Sequence, residues 1–143
     1  MVQFFSPEEE AAIVSAIRHA EAGTTGEIRV HLEFGAKQDA LSESKSIFHR
    51  LGMHETRDRN GVLILLEVDR QEFAIIGDVG ITKKVSEDFW KEERDLLQNY
   101  FRRRAFMPGL VLAIEQIGAK LKRFFPAEGA TDNQLPNEIS YGH

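Results

Sequence analysis

Asn60-Gly61-Val62-Leu63-Ile64-Leu65-Leu66-Glu67-Val68-Asp69-Arg70-Gln71-Glu72-Phe73-Ala74-Ile75-Ile76 is the stretch that decides the fold. Its unbroken apolar run, Val62 to Leu66, leaves no face for water, which is the pattern of a central strand covered on both sides. The polar interval before Phe73 is too short to carry a crossover, so the second apolar run returns antiparallel as a hairpin with its tip near Asp69-Arg70. Upstream, Glu27 to Phe34 alternates strictly, with Ile28, Val30, Leu32 and Phe34 on one face and Glu27, Arg29, His31 and Glu33 on the other. This spacing predicts a strand with one wetter face, where His31 reads as a surface imidazole. Between these strands Leu41, Ile47, Phe48 and Leu51 recur at helical spacing within 39–52, so a crossover helix makes the first two strands parallel.

Helices flank this core. Ser6-Pro7-Glu8-Glu9 has the residues of a capping box with proline at the first helical position. The helix it opens carries Ala12, Ile13, Ala16, Ile17 and Ala20 on one narrow face and stops at Gly23. A long helix is expected from a cap at Thr82 or Ser86 through Phe101, ending in Arg102-Arg103-Arg104, the basic end that complements a helix dipole. Pro108-Gly109 interrupts it. A last helix uses Leu110, Val111, Ile114, Ile117, Gly118, Leu121 and Phe125, with Gly118 permitting close approach of a neighbouring backbone. The expectation is therefore one α/β domain over 1–125, a mixed sheet flanked by helices, and a disordered tail over 126–143.

Composition narrows the function. A net charge of -5 argues against a nucleic-acid binder. No stretch is apolar enough to cross a bilayer, which predicts no membrane insertion, and the start lacks the pattern of a secretory leader, which makes the cytoplasm the default. With no cysteine in 143 residues, thiolate nucleophiles and sulfur-bound metals are excluded, leaving oxygen and imidazole ligands. Asp-x-Asp-x-Thr, Walker and Gly-x-Gly-x-x-Gly patterns are absent as well, and Arg18-His19-Ala20 lies inside a helix rather than at a strand end.

The parallel and antiparallel pairings bring Glu27, Asp58, Asn60 and Asp78 to one sheet edge. Carboxylates on strands about 4.8 Å apart can share a hard cation that takes oxygen ligands at about 2.3–2.6 Å, so calcium or magnesium is the expected occupant. Thr25 and backbone carbonyls would complete the shell. Equally, these acids could be solvated loop carboxylates and the threonines simple caps. A helix starting near Thr82, with Lys83 and Lys84 beside it, would offer N–H groups to an anion such as phosphate.

Thr25-Gly26-Glu27-Ile28-Arg29-Val30, Asn60-Gly61-Val62-Leu63-Ile64, Ile76-Gly77-Asp78-Val79-Gly80-Ile81 and the segment Phe106 to Leu110 together resemble the TPM domain family, in order and spacing, over Phe5 to Phe125. The resemblance implies a three-layer α/β/α sandwich with a central mixed sheet and an acidic metal pocket at the strand ends. Plant thylakoid relatives are associated with acid phosphatase activity, and other relatives with assembly of membrane complexes. Many carry a signal peptide, membrane helix or glycine-rich tail, so this chain resembles a stand-alone bacterial form. Two readings follow: a non-enzymatic accessory module that binds a divalent cation and has a wet strand face open to a protein partner, or a metal-dependent phosphomonoesterase.

Overall fold

The computed structural model describes residues 4–127 and 136–142. Its chain order begins with α1 (Pro7–Glu21), β1 (Glu27–Glu33), α2 (Ala40–Arg50), β2 (Gly61–Glu67) and β3 (Glu72–Gly77). It continues through α3 (Val79–Thr82), α4 (Lys91–Arg102), α5 (Phe106–Phe124) and β4 (Ser140–Gly142). Among the described residues these strands form one mixed sheet in the order β3-β2-β1-β4. β1 and β2 run parallel with Glu27 opposite Gly61 and Glu33 opposite Glu67, and β2 and β3 run antiparallel with Val62 opposite Gly77 and Glu67 opposite Glu72. The crossover and the hairpin read from the sequence are both present.

Period-two alternation sorts the strand residues between two layers. Ile28, Val30, Leu32, Val62, Ile64 and Leu66 join the larger core with α1 and α5. Leu63 and Leu65 face the other way, onto Ile47, Phe48 and Met53. α2 therefore covers one face and the remaining long helices the other, which makes the α/β/α sandwich. Ser6 accepts from the Glu9 amide and Glu9 returns a bond to the Ser6 amide, completing the capping box of α1. α1 then packs on α5 so closely that a Cβ at Gly118 would overlap Ala20. The small-residue stripe of α1 and the glycine of α5 are thus two halves of one contact.

Three features depart from expectation. The helix expected from Thr82 or Ser86 is broken into α3, a 3-10 turn over Glu87–Trp90, and α4. Asp78 is the cap of the first piece, because its carboxylate accepts from the Val79 amide at 2.7 Å before any residue further on can nucleate a turn. The break before α5 falls at Arg103–Ala105, and Pro108 sits harmlessly in the first turn of α5, where no intrahelical donor is needed.

The tail expectation is corrected over its described part. Pro126 bridges to Thr24, the Ala127 amide donates to the Gly23 carbonyl, and β4 pairs in parallel with β1, placing Ser140 opposite His31 and Gly142 opposite Glu33. The Tyr141 hydroxyl donates to Glu10 of α1. Sparse apolar content is offset here by an open strand edge that offers backbone partners. The rest of the expected tail, residues 128–135 and 143, lies outside the described residues.

Candidate functional site

The strand-start edge is tied together by its polar residues. Thr24 Oγ1 donates toward the Phe125 carbonyl at 2.6 Å and the Leu121 carbonyl at 3.1 Å while accepting from the Gly26 amide at 3.0 Å. It clamps the end of α5 to the start of β1. Beside it, Asn60 is fully buried, and its Nδ2 donates to Thr25 Oγ1 at 3.0 Å. Its Oδ1 is buried with no hydrogen-bond partner. A buried carbonyl oxygen without a donor is destabilising by about 1–3 kcal/mol unless something electropositive meets it.

Glu27 is 3% exposed. Its neighbour is a residue the sequence reading did not single out, Glu21, at the end of α1. Glu21 accepts from the Ile28 amide at 2.7 Å and shares a hydrogen bond with the Glu27 carboxyl. Burial, reinforced by the Glu27 charge, pushes Glu21 up to about 8, so at neutral pH it carries the proton that joins the two groups. A carboxyl pair held this way can trade its proton for a cation.

Asp58 and Asp78 reach the same edge and do different work there. The Asp58 side chain belongs to an exposed residue, whereas its carbonyl oxygen, like that of Arg59, lies where a Cβ on Gly80 would be. The absence of a side chain at Gly80 lets α3 sit against this loop, and the Gly80 amide donates to the Arg59 carbonyl at 2.7 Å. Asp78 is buried and already engaged: Arg59 approaches it through Nε at 2.8 Å and Nη2 at 3.1 Å, and the Val79 amide completes its shell. Thr82 and Lys83 stand at the C-terminal end of α3, where the Thr82 hydroxyl donates to the Val79 carbonyl. That location corrects the expected helix start, since a C-terminal end presents carbonyls rather than N–H groups to an anion.

Hard oxygen donors are therefore present at this edge, in Glu27 with Glu21 and in the unpartnered Asn60 Oδ1, and they suit calcium or magnesium chemically. Among the described residues, no three His, Asp or Glu side chains come together closely enough to hold a metal ion by themselves.

Residues 1–120 match the TPM domain. The chain belongs to the TPM domain family. Among solved structures, this TPM domain is similar to BA42 protein from the psychrophilic bacterium Bizionia argentinensis, at 44% identity and a TM-score of 0.93, over 99% of this chain and 98% of that one. It also shares its fold with the N-terminal domain of a protein from P. gingivalis, at 17% identity and a TM-score of 0.68, over 88% and 83% of the two chains. No protein of curated function matches it. Among the described residues of the TPM domain, no helix is long and apolar enough to cross a membrane.

The opposite edge of the TPM domain carries a second group of acids. Glu33, Glu67 and Glu72 stand in one register row across β1, β2 and β3. Glu33 meets His31 Nε2 at 3.1 Å and Arg50 Nη2 at 3.3 Å. His31, expected on the surface, is 2% exposed, because β4 covers it and Ser140 Oγ lies 2.7 Å from its Nδ1. Burial holds the His31 imidazole below its ordinary range, against the pull of Glu33. Glu72 accepts from the Ala40 amide at 3.0 Å at the start of α2. Only strand register reveals this row, and register is not written in any one strand.

Proposed function

We propose that this chain is a stand-alone TPM domain that holds a divalent cation, calcium or magnesium, at the strand-start edge and acts as an accessory binding module rather than a hydrolase. The observation that carries the reading is the buried, unpartnered Oδ1 of Asn60 on the edge that also holds the half-buried Glu21 against the buried Glu27. Glu27 and Asn60 Oδ1 would hold the ion, with backbone carbonyls and water filling the shell. The bound ion would neutralise the carboxyl pair and order the loop leading into β2. Asp78 contributes by fixing Arg59 and α3 in place. A phosphomonoesterase draws less support, because Thr82 and Lys83 lie at the wrong end of their helix to bind phosphate through backbone N–H groups.

Amide NMR titration of the metal-free protein with calcium and then magnesium tests this. Saturable shifts centred on Thr25, Glu27 and Asn60, lost in Glu27→Gln and Asn60→Ala, are the expected result. A ligand at a hundred times its dissociation constant raises stability by about 2.7 kcal/mol, so the melting point should move as well. Absence of localised shifts at millimolar ion would overturn the reading, and turnover of an aryl phosphate by the loaded protein would replace the binding module with the hydrolase.

A further inference from the structure

Along its two sides the sheet ends in different strands, the three-residue β4 on one side and the six-residue β3 on the other. Beside β3, the Asp78 amide donates to the Gly61 carbonyl, so period-two alternation turns the backbone groups of Glu72, Ala74 and Ile76 toward β2. Phe73, Ile75 and Gly77 turn theirs outward, and among the described residues no hydrogen bond reaches them. Sheet edges are ordinarily guarded by a lysine, a proline or a bulge. Glu72-Phe73-Ala74-Ile75-Ile76-Gly77 contains neither residue and pairs one to one with β2 throughout, so this side of the sheet has none of those guards.

A cleft of about 810 Å³ lies at the start of this strand. It is walled by Asp39 and Leu41 on the α2 face of the sheet and by Phe101, Arg102 and Arg104 on the α4 face, with Phe73 beside them. Only a cleft that passes around the margin of the sheet meets both faces, and the margin here is the hairpin end with the first residues of β3. Leu41 is 55% exposed and follows Ala40, whose amide is bonded to Glu72 at the start of β3; Val79, 42% exposed, comes just after its end. Two exposed apolar side chains thus flank the open strand. Arg102 and Arg104 are exposed, and among the described residues no acidic side chain pairs with either. Arg104 holds a φ of 58°, where glycine is the ordinary residue, so a charged side chain stands there against a backbone cost. On the α2 face the charges are of the other sign, Asp39 and Glu72, and they are already engaged by the Ser42 and Ala40 amides.

We infer that β3 is the docking edge for an extended segment of a partner protein, which adds to the sheet as a further strand and alternates acidic with apolar residues. Successive side chains of a strand point to opposite faces, so such a segment meets Arg102 and Arg104 with every second residue and Leu41 with the residues between. Acids fit the α4 face. On the α2 face Asp39 and Glu72 repel further acids, and Leu41 favours an apolar side chain there. Pairing with Phe73, Ile75 and Gly77 supplies affinity that any sequence could use, whereas the alternation selects the partner. This inference goes beyond the cation reading and needs no bound ion.

The probe is acetyl-Gly-Glu-Leu-Glu-Leu-Glu-Gly amide, titrated into isotope-labelled protein in EDTA so that cation binding plays no part. Saturable amide shifts and slowed amide exchange at Phe73, Ile75 and Gly77 are expected, and their absence at millimolar peptide would overturn the inference. Only one parity of peptide amides faces β3, so of two N-methylated isomers, one methylated on the glutamates and one on the leucines, one should lose at least tenfold in affinity and the other should bind. Equal behaviour of the two would overturn strand addition. A rearranged peptide, acetyl-Gly-Glu-Glu-Glu-Leu-Leu-Gly amide, should bind at least fivefold more weakly, and equal affinity would reduce the site to simple charge attraction. Arg102→Glu, at an exposed position, should weaken binding at least tenfold. Arg104→Gly suits its backbone better than arginine, so the melting point should hold or rise while binding falls at least threefold. Unchanged affinity in both variants would overturn the acidic partner. Dimerisation of the free protein that protects Phe73, Ile75 and Gly77 would overturn the peptide occupant in favour of a second copy of the chain.

Discussion

The two ends of the sheet carry similar numbers of acids and treat them in opposite ways. At the strand-start edge, charge is answered from within: Arg59 and the Val79 amide hold Asp78, and Glu21 shares a proton with Glu27. At the strand-end edge, Glu33 and Glu72 are answered by His31, Arg50 and the Ala40 amide, while Glu67 between them is left without a hydrogen bond. The first edge is closed by backbone around one unpartnered oxygen, Asn60 Oδ1, and the second opens into a cleft. Acid content alone therefore says little about where a ligand binds; the satisfaction of each oxygen says more.

The closure of the first edge should break most severely at Gly80. A Cβ there overlaps the carbonyls of Asp58 and Arg59, so Gly80→Ala should lower stability by about 3 kcal/mol in urea unfolding. A loss under about 1 kcal/mol would show that the loop can withdraw and that the edge is not closed by contact. On the second edge, His31→Ala removes the link between Glu33 and Ser140 and should cost about 2 kcal/mol, with faster amide exchange at 140–142. Exchange unchanged at those residues would mean that backbone pairing alone retains β4.

Glu67→Gln sharpens the contrast through pH. Burial and Glu72 raise the folded-state value from 4.5 to about 7, so the stability tied to the protonated carboxyl is complete below 4.5 and lost as pH rises toward 7. The variant should be more stable than wild type by about 1–2 kcal/mol at pH 8 and equal to it at pH 4. His31 has the opposite slope: its value is lowered by burial from 6.5, so its contribution is complete above 6.5 and fades as pH falls below. A melting-point profile that is flat in wild type and tilted in Glu67→Gln would expose the compensation. The smallest effect is expected from Asp78→Asn, which keeps a capping oxygen and weakens only the ion pair to a partly exposed Arg59, costing about 1 kcal/mol or less.

Local pattern carried the architecture well. The run Val62–Leu66, the alternation from Glu27 and the capping box at Ser6 each depend on residues near one another in sequence, and each element formed where its pattern placed it. What failed depended on distant partners. Asp78 outcompeted Thr82 as a cap because the β3 turn places it ahead of the helix; His31 is buried by a strand more than a hundred residues away. Among the site residues, the shared edge of Glu27, Asn60 and Asp78 followed from strand directions, whereas the partnership of Glu27 with Glu21 required the packing of α1 on the sheet. Glu67 closes the apolar run as an ordinary strand boundary in the sequence, and only its burial and its register row with Glu33 and Glu72 reveal a carboxyl of raised proton affinity.

The parallel pairing of β4 with β1 has a consequence for handling the protein. With β4 in place, β1 is flanked on both sides, and the sheet ends there in a strand of three residues rather than seven. Cutting the chain before Ser140 would bare the backbone donors and acceptors that β1 offers to β4 over His31, Leu32 and Glu33, a template onto which another copy can add. Shortened versions made to simplify the molecule should therefore precipitate or self-associate more readily than the intact chain, even where their helices and core remain folded.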